Sequence, residues 1–390
     1  MDRKTENDKP VILLPQRITS DNAQKVQTDV EELLLTCQTK SFVLDSADLL
    51  YIASAGLRTL LSFTKAGYDF ELINVSPDVY EIFDMTGFLR FLKVRKRYRM
   101  MSIEGLPVIG SGATSTVYRV DKDTVLKVFK PEHTLEAIEL ELKHAKEAFL
   151  MGVATAISYD IVKVGNAYGT VYEMLNAQTL SHVLHEHPEQ EDELVRSYAE
   201  FMRQMHKVEL DPKVFVNEKD RYTLALDLFS DKSTPEEYQM MRDMIDNIPD
   251  RTTFGHGDFH PGNVMLQNGE PILIDMGEAS CAHPIFSIMA FGVHRLLCSV
   301  IPEAMVLQLA GMSPEQVCRV WDKLLMYYFE TTDAARLKEI STVILCYSAI
   351  RAWRICVQYT AFPPQLTAYC MSMFHKLYEA GGSNLAALNL

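Results

Sequence analysis

The chain has 390 residues, 47% of them hydrophobic and 23% charged, the composition of an ordinary globular protein with more than one domain. Its net charge of −14 and isoelectric point of about 5.3 argue against a nucleic-acid partner. The charged start of the chain lacks the apolar core of a signal peptide, and the apolar run at 284–290 is too short for a membrane span. Seven cysteines without a Cys-x-x-Cys pair favour a reducing compartment, so we expect a cytoplasmic protein with no membrane partner.

Strands alternate with helices in the first part of the chain. Apolar runs predict strands at 11–14, 42–45 and 70–75, and helical periodicity predicts helices at 20–35, 55–63 and 77–85. Ser76 precedes the last of these helices, and Pro77 suits its first position. This alternation indicates a small α/β layer.

Three segments of this region resemble a known domain. They are Tyr-Ile-Ala-Ser-Ala-Gly-Leu-Arg at 51–58, Asn-Val-Ser-Pro at 74–77 and Met-Thr-Gly-Phe at 85–88. With them, residues from about 9 to 94 resemble a STAS domain, the fold of bacterial anti-sigma factor antagonists, with a first strand that is short or absent. The resemblance implies a regulatory domain over residues 1–94 that docks a protein partner.

The resemblance also points to one serine. In the STAS family a serine at the start of the helix after an Asp-Ser-Ser-Gly loop accepts phosphate, and helix N–H groups stabilise the added charge. Here Ala53 replaces the usual aspartate and Ala55 replaces the serine before the glycine, which leaves Ser54 as the candidate phosphoacceptor. The alternative is that Ser54 is only the N-cap of this helix.

A basic segment, Lys-Val-Arg-Lys-Arg-Tyr-Arg at 93–99, follows. Because it is short and lacks interleaved aromatic residues, nucleic-acid binding is disfavoured. We expect residues 95–102 to form a linker strand whose charges meet acidic groups of the protein.

A glycine loop comes next. Gly-Ser-Gly-Ala-Thr-Ser-Thr-Val at 110–117 fits the pattern Gly-x-Gly-x-x-Gly-x-Val, with a serine in place of the third glycine. Small residues let backbone N–H groups approach phosphate oxygens. The candidate phosphate contacts are Gly110, Ser111, Gly112 and Ser115. The β-rich run at 124–129 holds one lysine, Lys127, which is predicted to meet the phosphates because an ammonium in a sheet is costly without an anion.

A lysine that binds phosphate needs a glutamate to orient it, and the next helix, capped by Thr134, offers two. Glu139 and Glu141 lie at opposite borders of its apolar stripe, so periodicity does not choose between them. Farther on, a buried strand at 169–175 ends in a linker. Backbone groups of Glu173 and Leu175 are predicted to bind a nucleotide base there.

The most informative segment is His-Gly-Asp-Phe-His-Pro-Gly-Asn at 256–263, followed by Asp-Met-Gly at 275–277. It reproduces the spacing His-x-Asp-x-x-x-x-Asn and Asp-x-Gly of ATP-dependent phosphotransferases. One carboxylate must accept the proton of an attacking hydroxyl, while a second carboxylate and an amide hold Mg²⁺ against the phosphates. A β-hairpin closed by Asn-Gly at 268–269 is predicted between them, and it brings Asn263 and Asp275 to one end.

From about residue 103 to 390 the chain resembles the aminoglycoside phosphotransferase and choline kinase family, whose fold is a bilobal α+β kinase-like domain. The resemblance implies ATP and Mg²⁺ as cofactors and a hydroxyl of a small molecule or of a protein serine as acceptor. It implies Asp258 as catalytic base, with Asn263 and Asp275 as Mg²⁺ ligands. It also implies Lys127 at the phosphates and favours Glu141 as its partner. The acceptor pocket would be walled by segment 185–245 and the helices after residue 313.

One segment departs from this family. Relatives often carry an aspartate shortly after the metal-binding loop, where it braces the catalytic loop, but this chain has Pro-Ile-Phe-Ser at 284–287. The predicted function is an ATP-dependent phosphotransferase with a STAS-like regulatory or docking domain. The alternative, which Ser287 favours, is a nucleotide-sensing pseudokinase that serves as an interaction module in anti-sigma-type bacterial signalling.

Overall fold

The structure is a computed structural model that describes residues 5–6, 9–112, 114–359 and 362–390. It divides into two compact units, residues 1–102 with 162–165 and residues 103–161 with 166–390. Each unit has a hydrophobic core of its own.

The first unit is an α/β layer, as predicted from the alternation of strands and helices. Its elements are β1 (Thr5–Glu6), β2 (Lys9–Leu13), β3 (Arg17–Ile18), α1 (Ala23–Cys37), β4 (Ser41–Asp45), β5 (Tyr51–Ile52), α2 (Ser54–Lys65), β6 (Asp69–Val75), α3 (Pro77–Met85), β7 (Lys93–Lys96) and β8 (Arg99–Met100). The main sheet has the order β1-β2-β4-β6-β7, in which only the short β1 runs antiparallel to its neighbour. Helix α3 has the predicted bounds, and Ser76 caps it by accepting a hydrogen bond from the N–H of Val79.

Aromatic rings fill the core between this sheet and its helices. Phe42 of β4 stacks on Phe70 of β6 with ring centroids 5.2 Å apart, and Phe63 of α2 meets both rings edge-on. The marker glycine, Gly56, lets α2 approach the sheet, because a Cβ there would lie 2.6 Å from the side chain of Ile18. A larger residue at 56 would therefore push the helix away from this core.

The basic segment continues the main sheet through β7. Lys93 forms a salt bridge of 3.1 Å with Asp69, and Arg95 forms one of 3.3 Å with Glu71, both on the neighbouring strand β6. The predicted meeting of basic and acidic groups is thus present. The sheet, however, extends past residue 94, the expected end of the domain, because β7 pairs in parallel with β6 as far as Lys96.

The second unit begins with a small lobe built on a sheet. Its elements are β9 (Val108–Ser111), β10 (Ser115–Arg119), β11 (Thr124–Phe129), α4 (Leu135–Leu150), β12 (Ser158–Val164) and β13 (Ala167–Glu173). Strand β10 pairs antiparallel with β9 and β11, and β11 pairs antiparallel with β13. Thr134 caps α4 as predicted. The buried face of α4 includes Glu141 and His144, whereas Phe149 near the end of the helix is about half exposed.

A larger, mostly helical lobe follows. Its elements are β14 (Gln178–Thr179), α5 (Leu180–Glu186), α6 (Glu191–Met205), α7 (Glu218–Leu228), α8 (Pro235–Asp246), β15 (Phe254–Gly255), β16 (Val264–Gln267), β17 (Glu270–Leu273), β18 (Ser280–Cys281), α9 (Ile285–Leu297), α10 (Glu303–Ala310), α11 (Pro314–Tyr328), α12 (Ala334–Gln358) and α13 (Pro364–Leu377). The central helix α12 packs against α9, α11 and α13. Among the described residues, α12 alone is long and apolar enough to cross a membrane, but 72% of its apolar window is buried, as is usual for a core helix.

The packed aromatic core of the first unit allows a prediction of how a core substitution changes the free energy of opening, that is, of unfolding this unit. Phe42→Ala should lower the free energy of opening by about 3–5 kcal/mol, because it removes a fully buried ring and leaves a cavity. Hydrogen exchange of the β4 and β6 amides in the full-length protein measures this change. Leu35→Ala, at a side chain that is 76% exposed, should change it by no more than about 0.5 kcal/mol. Equal effects of the two substitutions would contradict the described packing.

Candidate functional site

The predicted hairpin is confirmed by strands β16 and β17, which pair antiparallel with Val264 opposite Leu273. Asn268 and Gly269 close it with φ of 55° and 86°, the positive values that an Asn-Gly turn provides. At the open end, the N–H of Ile274 donates to the carbonyl of Asn263 at 3.0 Å. Asn263 and Asp275 therefore lie side by side.

Lys127 lies between two carboxylates. Its ammonium donates to Glu141 Oε1 at 2.7 Å and to Asp275 Oδ1 at 2.9 Å. The side chains of Lys127 and Glu141 are only 12% and 10% exposed. Burial disfavours the charged form, but Asp275 and Glu141 outweigh it and raise the pKa of Lys127. Of the two glutamates that periodicity left open, Glu141 is the one that pairs with this lysine.

The backbone around Asp275 is adapted to this contact. Asp275 has a φ of 65°, a left-handed conformation that costs a non-glycine residue about 1–3 kcal/mol and persists where neighbouring groups hold it. Two residues later, a Cβ at Gly277 would lie 3.2 Å from Glu141 Oε2. The glycine of the Asp-Met-Gly segment thus leaves room for the glutamate that orients Lys127.

Asp258 lies among hydrogen-bond donors from three directions. Its Oδ1 accepts a hydrogen bond from Arg351 Nη2 at 3.1 Å, and its Oδ2 accepts one from Asn263 Nδ2 at 3.3 Å. The Nε2 atom of His260 lies 3.4 Å from Oδ2. Removal from water raises the pKa of Asp258, but His260 and Arg351 outweigh it and hold this pKa well below its usual range. The carboxylate is therefore ionised and oriented.

His256 joins the segment of Asp258 to the segment of Asp275, the predicted base and the predicted metal ligand. His256 Nδ1 accepts from the N–H of Asp258 at 3.3 Å, so Nε2 carries the proton and donates to the carbonyl of Ile274 at 2.9 Å. Burial lowers the pKa of His256, which keeps the ring neutral in this bridging form. In addition, Tyr198 donates to the carbonyl of Phe259 at 3.0 Å. The loop that carries Asp258 is thus held from several sides although residue 287 is a serine.

The glycine loop is the turn between β9 and β10. The N–H of Gly112 donates to the carbonyl of Ser115 at 2.9 Å, and Gly110 and Ser111 end β9 opposite β10. Ala113, within the predicted loop, lies outside the described residues. A Cβ on Gly110 or Gly112 would come no closer than 3.7 Å to another protein atom, so protein packing does not explain these glycines. A ligand that approaches the backbone would explain them.

The predicted base-binding residues lie where β13 ends. Glu173 is the last residue of β13, and Leu175 is buried two residues later. The side chain of Glu173 has a structural contact that the sequence did not predict, because its Oε1 accepts from the N–H of Ile157 at 2.7 Å.

Ser54 belongs to the first unit and is exposed. The N-cap of α2 is Ala53, and Ser54 is the first residue of the helix, so the alternative that Ser54 caps it is not what the structure has. The hydroxyl is thus at the end of a helix where backbone N–H groups are unpaired with the helix itself.

The donor atoms fit a divalent cation and a nucleotide. Asp275 offers a carboxylate, and Asn263 keeps its amide oxygen available because its Nδ2 donates to Asp258. Oxygen ligands of this kind suit Mg²⁺. Lys127 would meet the phosphates, and a bound magnesium ion would neutralise charge that develops on them.

Several residues of this site were missed from the sequence. Arg351 on α12 and His260 contact Asp258, and Tyr172 OH donates to Glu141 Oε1 at 3.1 Å. The available signal for Arg351 was its place, together with Arg354, in a largely apolar helical run. Nothing in the sequence linked that run to residue 258.

Comparison with known families identifies both units. The profile of the phosphotransferase enzyme family (APH) matches residues 105–309, and the profile of the STAS domain matches residues 2–100. The chain belongs to the phosphotransferase enzyme family. The predictions of a STAS domain, of a bilobal kinase-like fold and of a kinase that acts on an alcohol group are therefore confirmed.

Solved structures similar to this phosphotransferase share little sequence with it. A choline/ethanolamine kinase family protein from Mesorhizobium loti is 16% identical over 73% of this chain and 92% of its own, with a TM-score of 0.49. The gentamicin complex of APH(2")-IIa is 17% identical over 70% and 91%, with a TM-score of 0.45. Amicoumacin kinase hAmiN is 13% identical over 77% and 95%, with a TM-score of 0.48. No curated protein matched the chain.

The glycine before Asp258 provides a stability prediction. Gly257 has a φ of 79°, and a Cβ there would lie 2.5 Å from the Cβ of Glu278, whereas Gly269, with a φ of 86°, has open space around it. Both Gly257→Ala and Gly269→Ala impose left-handed strain of about 1–2 kcal/mol. The free energy of unfolding should fall by about 1–3 kcal/mol more in Gly257→Ala than in Gly269→Ala, because the new Cβ at 257 also overpacks against its neighbour. Denaturation followed by the fluorescence of the two tryptophans, Trp321 and Trp353, measures it, and equal losses would refute the close approach.

Proposed function

We propose that this phosphotransferase is an ATP-dependent kinase that transfers the γ-phosphate of Mg·ATP to a hydroxyl of a small molecule or of a protein serine. In the proposed reaction the acceptor hydroxyl loses its proton to Asp258, and its oxygen forms a bond to the γ-phosphorus. The bond from that phosphorus to ADP breaks. ADP is the leaving group.

The observation that carries this proposal is that the side chains needed for three separate roles lie next to one another. Lys127 meets Asp275, which lies beside Asn263, and Asn263 in turn donates to Asp258. A phosphate ligand, a pair of metal ligands and a base are thus linked by direct contacts. Phosphoryl transfer requires such positioning, because most of its catalysis is alignment and neutralisation of charge.

The glycine loop and the end of β13 support the remaining assignments. We assign Gly110, Ser111, Gly112 and Ser115 to the phosphates, and the backbone of Glu173 and Leu175 to the base. The glycines have no packing reason in the protein alone.

The roles of the two aspartates are tested together. Asp258→Ala should lower turnover by about 10²–10⁴-fold, the usual worth of a general base, and should leave the dissociation constant of Mg·ATP nearly unchanged. Asp275→Ala should instead weaken Mg·ATP binding. Purified full-length protein is assayed for ADP formation with a panel of small hydroxyl compounds and STAS-type proteins, and nucleotide binding is measured by calorimetry.

The hairpin of β16 and β17 contains a matched control residue for the two aspartate variants. Glu270 is an exposed carboxylate at the turn end of the same hairpin, so Glu270→Ala should leave both quantities as in the wild type. Wild-type phosphotransfer in both aspartate variants would refute the assignment. Wild-type protein that binds ATP without turnover for any acceptor would instead favour the pseudokinase alternative, in which the domain senses nucleotide.

We propose further that the first unit, expected over residues 1–94 with a linker at 95–102 but extended by β7 to Lys96, is a regulatory or docking domain for a kinase domain over 103–390. The motivation is architectural, since an enzyme that only modifies small molecules needs no protein-docking domain. The protein would then act in bacterial signalling, in the cytoplasm, with a protein partner bound through the STAS domain. The exposed hydroxyl of Ser54 is the candidate acceptor in that domain.

The two roles of the STAS domain predict different results. If Ser54 accepts phosphate, incubation with Mg·ATP should add one phosphate that Ser54→Ala removes and Asp258→Ala prevents, as mass spectrometry would show. Ser62→Ala is the control, because Ser62 lies in the same helix with its hydroxyl bonded to the carbonyl of Thr59 at 2.7 Å. If the domain only docks, no phosphate appears, yet deletion of residues 1–94 changes activity or partner binding. Unchanged kinetics, an unchanged set of partners and an unmodified Ser54 would exclude both roles.

A further inference from the structure

Asp258 has a partner from a distant part of the chain. Arg351, on the central helix α12, donates from Nη2 to Asp258 Oδ1 at 3.1 Å and from Nη1 to the hydroxyl of Tyr222 at 3.0 Å. The side chain of Arg351 is 5% exposed, and Tyr222 on α7 is fully buried. A buried guanidinium is costly unless it is paired, so this contact is a specific arrangement and not a chance surface ion pair.

The contact limits how the carboxylate can turn. Asn263 and His260 approach Asp258 Oδ2, whereas Arg351 approaches Oδ1. With donors on both oxygens, the plane of the carboxyl group is defined. Without Arg351, Oδ1 would lose its side-chain donor, and the group could rotate about its last bond.

The aspartate that often braces the corresponding loop in relatives is replaced by another residue in this chain. Ser287 stands in the segment where they often carry the bracing aspartate, and its buried Oγ has no hydrogen-bond partner among the described residues. The brace on Asp258 itself comes instead from α12. An arginine suits this position because its planar fork can donate to two partners at once, here Asp258 and Tyr222.

We propose that Arg351 is a positioning residue for phosphoryl transfer, which holds the Asp258 carboxylate in the orientation that accepts the acceptor's proton. Tyr222 holds Arg351 in turn, so that helices α7 and α12 align the base. This inference rests on the proposed role of Asp258 as the base.

The chain offers a matched control one helical turn away. Arg354 lies on the same helix, is similarly buried, and places its guanidinium 4.5 Å from the centre of the Tyr222 ring. Among the described residues it forms no ion pair with Asp258. Arg351→Met and Arg354→Met therefore remove the same charge and similar packing from the same core, but only the first removes a contact with the base.

Measurements of turnover and of nucleotide binding distinguish a positioning role of Arg351 from a role in stability alone. The probe is ATP hydrolysis, with water as acceptor, in the full-length protein. Arg351→Met should lower kcat by about 100-fold, the usual cost of a misplaced group, with little change in the KM and dissociation constant of Mg·ATP. Arg354→Met removes only a ring contact of Tyr222, so its loss of kcat should not exceed that of Tyr222→Phe. Arg351→Lys should restore part of the activity, and Tyr222→Phe should give an intermediate loss.

Double variants test whether Arg351 acts through Asp258. In an Asp258→Ala background, Arg351→Met should cause no further loss of kcat, because the group that it positions is absent. A purely structural role would give the same fractional loss in both backgrounds and similar losses for Arg351→Met and Arg354→Met. Either of those results would overturn the proposal.

A crystal structure provides a readout that does not need activity. Ligand-free Arg351→Met should show the Asp258 carboxylate rotated or in several orientations, whereas Arg354→Met should keep it as in the wild type. A carboxylate that stays in place in Arg351→Met would overturn the positioning role even if the enzyme shows no turnover. Absence of turnover in the wild type with every acceptor would count against the proposed function, and the two structures would still decide the inference.

Discussion

The arrangement of the candidate site depends on one buried ammonium group, that of Lys127. Lys127 contacts Glu141 of α4 and Asp275 after β17, so a single charge connects the sheet, the helix and the loop after β17. None of these groups could be buried alone without a large desolvation penalty. Their contacts link the small lobe to the loop that carries Asp275, whose side chain is half exposed. The space that Gly277 leaves beside Glu141 and the left-handed conformation of Asp275 follow from this arrangement.

The second carboxylate is held by a different set of groups. Asp258 contacts Asn263 and Arg351, while His256 ties the same loop to the residue before Asp275. Both aspartates therefore lie on short loops in which polar contacts orient the carboxylates, while the buried neighbours Phe259 and Met276 anchor the backbone in the apolar core. Such contacts define orientation closely, which suits chemistry that consists mainly of alignment.

The STAS unit is stabilised in a different way. Its sheet and helices are held by apolar and aromatic packing, and its marker glycine serves the approach of α2 to the core. The exposed Ser54 remains at the start of α2, although alanines replace two polar neighbours.

The sequence by itself determined the α/β layer through its hydrophobic periodicity, and its loop motifs carried the resemblance that implied the kinase-like fold and the candidate site, because periodicity and motifs are local properties of the chain. The hairpin turn at 268–269, helix α3 with its Ser76 cap, and the grouping of Asn263 with Asp275 depend on neighbouring residues only. Tertiary structure decided which glutamate pairs with Lys127, because both candidates border the same helical stripe and only the packing of α4 selects one. It also brought Arg351 to Asp258 across 93 residues of sequence, a contact that no local pattern encodes.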